Sequence, residues 1–109
     1  MSKVEFYADK GARYQPFRDI IVKIKADDDL QHIVNSKTHD LTDEIFAYED
    51  LCWELAEYQL IFEKGYKKYN ESEINQRAKK ILDSKLNYGD ICWLISSFKN
   101  YLKQHKLYP

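Results

Sequence analysis

Leu86-Asn87-Tyr88-Gly89-Asp90-Ile91-Cys92-Trp93-Leu94-Ile95-Ser96-Ser97-Phe98-Lys99-Asn100-Tyr101-Leu102 is the stretch that decides the fold. Ile91, Leu94, Ile95, Phe98 and Leu102 recur at helical spacing and predict one apolar face. Asn87 offers a side-chain oxygen to the unpaired N–H groups of a first helical turn, with Asp90 three residues on. Leu86 and Ile91 bracket that turn as a hydrophobic staple.

The same signature recurs upstream. Asn70 and Glu73 have capping-box spacing, with Tyr69 and Ile74 as the staple pair. Thr42 predicts the cap of a helix from Asp43 to about Lys64, with Leu41 and Phe46 as staple and Gly65 as the stop. Asp27, Asp28 and Asp29 supply a cap and first-turn acids for a short helix carrying Leu30, Ile33 and Val34, and residues 35–40 read as a loop.

Nearer the N-terminus, Pro16 suits a first helical turn, and Phe17, Ile20, Ile21 and Ile24 share one helical face. A strand placing Ile20, Val22, Ile24 and Ala26 on one side, paired with residues 3–8, competes with it. The helix is preferred, and Val4, Phe6 and Ala8 leave residues 3–8 open to a short edge strand. The expected fold is therefore all-α: residues 1–109 as a single helical domain, a bundle of four to five helices, with an N-terminal strand or hairpin as the open alternative. Three Gly and two Pro supply too few turns for an all-β sandwich.

Asp50-Leu51-Cys52-Trp53 returns forty residues later as Asp90-Ile91-Cys92-Trp93. At the same offset Tyr48 matches Tyr88, Leu55 matches Ile95, Tyr58 matches Phe98 and Phe62 matches Leu102. Pseudosymmetry between two core helices is the simpler reading, and duplication stays open. Helical projection puts Trp53 in line with Phe46 and Leu60, away from the core face, and puts Trp93 off the core beside Ser96, Ser97 and Asn100. Packing of that stripe under the N-terminal segment is the structural alternative.

Charge is strongly segregated although the net charge is only −1. Residues 26–63 hold eleven acidic side chains against Lys37 alone, net −10; residues 1–25 are net +3 and residues 64–109 net +6. On the expected long helix Asp43, Asp50, Glu54 and Glu57 form one stripe of mutually repelling carboxylates. Internal neutralisation by Arg13, Arg18, Lys67, Lys68, Lys79 or Lys80 competes with steering of a basic partner.

No P-loop, G-x-S-x-G or H-E-x-x-H motif occurs, and Cys52 and Cys92 belong to no C-x-x-C pair. No cofactor, metal or catalytic residue is expected. No apolar run approaches the length of a membrane span, and a cytoplasmic location with reduced cysteines is expected. Nine Tyr, five Phe and two Trp are many for 109 residues, and such side chains favour interfaces.

These features favour a non-enzymatic protein-binding module, an inhibitor, antagonist or immunity-type protein of the kind a phage or mobile element carries. Its expected partner is a protein with a basic surface, such as a nucleic-acid-binding protein or a nuclease. The expected contact residues are Asp43, Asp50, Glu54, Glu57, Phe46, Trp53, Leu60 and Trp93. The alternatives are a homodimer formed through Phe46, Trp53 and Leu60, or a nucleic-acid-associated regulator using the basic C-terminal half. Direct nucleic-acid binding is disfavoured by the acidic middle and by Arg77 being the lone arginine of that half.

Overall fold

Several local helix signals come out as expected in the computed structural model, which describes residues 11–44 and 46–108. Asn70 Oδ1 accepts from Glu73 N at 2.8 Å, and Glu73 Oε1 accepts from Asn70 N at 3.1 Å, closing the capping box. Asn87 Oδ1 accepts from Gly89 N, and Asp27 Oδ1 accepts from Leu30 N at 3.0 Å. Gly65 ends a helix at φ 107°, a conformation that strains side-chain-bearing residues.

A 3-10 turn, Gly11–Phe17, leads into five helices: α1 (Arg18–Lys25), α2 (Asp28–Asp43), α3 (Tyr48–Lys64), α4 (Glu71–Ser84) and α5 (Tyr88–Gln104). There is no strand among the described residues. The strand alternative fails at residues 20–26, because Ile20, Ile21 and Ile24 are buried while Val22 is 55% exposed. Burial at i, i+1 and i+4 is a helical pattern. The alternative for residues 3–8 lies outside the described residues.

Two helix boundaries differ from expectation. Residues 35–40 continue α2, and its buried face runs Leu30, Val34, Thr38 with Leu41 packed beside them. The buried Thr38 is tolerated because its Oγ1 donates to Val34 O at 2.7 Å. Thr42 caps nothing: it lies in the last turn of α2, where its Oγ1 donates to His39 O at 2.9 Å. The helical run ends instead at Asp43 and resumes at Tyr48, with Glu44 and Ala47 extended.

α5 is the central element. Asp90 through Phe98 are all buried, so the helix is covered on every side rather than on one face. α1, α2 and α3 pack around it, and α4 packs on α3. Asp90 completes no capping box: its carboxylate accepts from the buried Tyr14 hydroxyl, linking the N-terminal 3-10 turn to α5. Gln59 Nε2 ties the same turn to α3 by donating to Pro16 O at 3.0 Å. Edge-on packing of Phe62 and Phe17 against Phe98 joins α3 and the turn to α5.

The forty-residue echo is helix-deep: α3 and α5 are each 17 residues long and start at the matched Tyr48 and Tyr88. Their environments differ, since Asp50 is exposed and Asp90 buried.

Candidate protein-interaction site

The expected contact residues divide three ways. Leu60 and Trp93 are core residues, each 1% exposed, and present no surface to a partner. Trp93 stands off the apolar face of α5, yet α2 covers it, and its Nε1 donates to Asn35 Oδ1 at 2.9 Å. Trp53 is half-buried and lines a cleft with Asn75, Ala78, Lys79 and Leu82 of α4, while residues 1–10 of the segment expected to cover it lie outside the described residues. Phe46 is 39% exposed.

The four-carboxylate stripe is not one stripe. Asp43 ends α2, whereas Asp50, Glu54 and Glu57 lie on α3. Glu57 accepts from the Tyr69 hydroxyl at 2.9 Å; burial first, and that carboxylate second, push the tyrosine up to about 12. Glu54 is half-buried, and desolvation raises its carboxyl above the ordinary range although the Lys99 ammonium pulls it back down. Further along α3, Glu63 accepts both arms of Arg77 at 2.9 and 3.1 Å, and Lys64 pairs with Glu73. The C-terminal half of α3 is thus neutralised internally by α4.

The α2–α3 corner is not neutralised in this way. Asp40, Asp43, Glu44, Glu49 and Asp50 are all exposed, and Phe46 stands among them. No Lys or Arg occurs between residues 38 and 63, and no ion pair forms at these acids among the described residues. Asp40 and Asp43 lie in the last turns of α2, which carry no compensating base, so they oppose the negative end of the helix dipole. Each such placement costs roughly 0.3–1 kcal/mol. Glu49 and Asp50, in the first turn of α3, are favourably placed by the same rule.

The corner is held by two tyrosines from the echo. Tyr88 Oη accepts from Phe46 N at 3.2 Å and lies 3.4–3.5 Å from the carbonyl oxygens of Phe46 and Glu44. The Tyr48 hydroxyl donates to Leu86 O at 2.5 Å. Sequence reading gave Tyr88 as the counterpart of Tyr48 and omitted Asp40, Glu44 and Glu49 from the site. Their signal was available as five acids within eleven residues, but only the break between α2 and α3 gathers them at one turn.

Cys52 and Cys92 are buried, and desolvation pushes both thiols up to about 11, with smaller contributions from Glu49 and Glu54 respectively. A thiol held protonated is neither nucleophile nor metal ligand at neutral pH. Among the described residues no three His, Cys, Asp or Glu side chains converge on a metal-sized site, and no helix is long and apolar enough to cross a membrane. No family model, curated protein or solved structure matches the chain.

Proposed function

We propose that the protein is a non-enzymatic binding module, an inhibitor or immunity-type antagonist, that docks the acidic α2–α3 corner onto a basic surface of a partner protein. One observation carries this reading. Asp40 and Asp43 sit against the helix dipole near Glu44, Glu49 and Asp50, with an exposed Phe46 in the same turn and, among the described residues, no ion pair at any of these carboxylates. A charge arrangement that costs stability at home and surrounds an apolar anchor suits electrostatic steering followed by burial of the ring. The tyrosine contacts hold this surface in place before binding, which lowers the ordering cost of association.

The alternatives have less support. A homodimer through Phe46, Trp53 and Leu60 lacks Leu60, which is in the core. The nucleic-acid reading loses Arg77 to Glu63 and Lys64 to Glu73.

Affinity purification from the native host, with wild type beside Asp43→Lys/Glu44→Lys/Asp50→Lys, tests the proposal. The expected result is a basic protein retained by wild type and lost by the triple variant. Equal retention by both contradicts it.

A further inference from the structure

A groove of about 320 Å³ lies where the 3-10 turn meets α3 and α4, and it shares no residue with the acidic corner. Its size is at the lower end for small-ligand sites. Gln59 and Glu63 face it one helical turn apart on α3, and Arg77, Lys80, Ile81 and Ser84 recur along it at i, i+3, i+4 and i+7 on α4. Pro16 and Phe17 form the third side. Phe17 and Ile81 are buried and give the groove its apolar wall.

An unused acceptor stands in this wall. Gln59 is 2% exposed, and among the described residues its Oε1 is the one buried side-chain nitrogen or oxygen without a hydrogen-bond partner. Its Nε2 donates to Pro16 O at 3.0 Å, and Pro16 lines the same groove, so the amide head sits at the groove wall. That bond also fixes which way the amide faces, because a flip would set two carbonyl oxygens against each other.

The neighbours offer Oε1 no donor. Phe17 and Ile81 have none in their side chains. The Ser84 hydroxyl donates to Ile81 O at 2.6 Å, and both arms of Arg77 are taken by Glu63. Buried polar groups ordinarily have partners, so an orphan acceptor beside an apolar cavity marks a place for a ligand's donor.

Charge narrows the ligand class. Arg77 and Lys80 against Glu63 leave the lining one positive charge in excess, which disfavours an ammonium. The donor is therefore neutral, and the body that carries it must cover Phe17 and Ile81. We propose that the groove binds a small neutral phenol. Its hydroxyl, protonated at neutral pH, donates to Gln59 Oε1, and its ring packs on Phe17 and Ile81. The broad terminal torsion of glutamine lets Oε1 turn toward the hydroxyl while Nε2 keeps Pro16 O.

Amide-resolved NMR titration of the full chain with 4-methylphenol tests this, with 4-methylanisole and toluene as matched probes that lack the donor. Saturable shifts at Phe17, Ile81 and the Gln59 side-chain amide are expected in the millimolar range, with affinity at least about fivefold tighter than for either matched probe. Gln59→Met keeps the length of the side chain and removes the acceptor, so it should abolish the preference for 4-methylphenol over 4-methylanisole. The three probes compared on wild type decide the matter even where that variant is unstable. Equal binding of 4-methylanisole, or no saturable shift up to about 20 mM 4-methylphenol, overturns the proposal and leaves a water as the partner of Gln59 Oε1.

Discussion

The hydroxyl of Tyr88, in the first turn of α5, accepts a hydrogen bond from the backbone N–H of Phe46, which stands at the α2–α3 corner 42 positions earlier. One oxygen thereby fixes the loop that displays the exposed ring. Tyr88→Phe removes this bond and keeps the ring. Urea unfolding should show a loss of about 0.5–1.5 kcal/mol, and the Phe46 amide should exchange faster with solvent. Unchanged exchange at Phe46 would mean that the corner is held by other contacts.

Trp93 and Phe46, both expected from the sequence to meet a partner, should behave differently. Trp93→Ala empties a buried site and removes the donor to Asn35, so a loss of about 3–5 kcal/mol is expected in denaturant unfolding. Phe46→Ala, at an exposed loop position, should change stability by no more than about 0.5 kcal/mol. Comparable losses at both positions would contradict the burial described above.

What was legible in the sequence is what depends on neighbours along the chain. The Asn70–Glu73 box joins residues three apart, and the face formed by Phe17, Ile20, Ile21 and Ile24 spans two turns, so both could be read directly. Thr42 misled because a hydroxyl can serve a helix at either end. It accepts an N–H at a start or donates to a carbonyl at a finish, and Leu41-Thr42-Asp43 is compatible with both. Trp93 misled for another reason. Helical projection fixes a side chain's direction but not how many helices surround it, and α5 is surrounded. The candidate site was half legible: its acids were counted, but the stripe was drawn on one helix where the chain makes two.

Alkaline pH should weaken the fold through its thiols. Cys52 and Cys92 have folded values near 11 against the ordinary 9.0, with burial the main cause. A folded value raised above the unfolded one gives a contribution that is fully present below pH 9.0 and is lost as pH rises toward about 11. Ellman's reagent at neutral pH should accordingly find neither thiol in the native protein and both after denaturation. Rapid labelling of the native chain would show that one of them is open to solvent.

Acidic residues at the end of α2 should oppose stability while they serve binding. Asp43→Lys places a cation at the negative end of the α2 dipole and should raise stability by roughly 0.3–1 kcal/mol, read as a higher urea midpoint at unchanged slope. A stability loss at this position would remove the reason for regarding the corner as locally unfavourable.

Stopped-flow association with the purified partner, across a range of ionic strength, interrogates the corner itself. Wild type should associate quickly at low salt and slow steeply as salt is added, whereas Asp43→Lys/Glu44→Lys/Asp50→Lys, checked to be folded because the dipole gain at Asp43 is offset by a loss at Asp50, should associate at least about tenfold more slowly with a flattened or inverted salt response. Identical rates and identical salt slopes for the two proteins would contradict docking through these carboxylates.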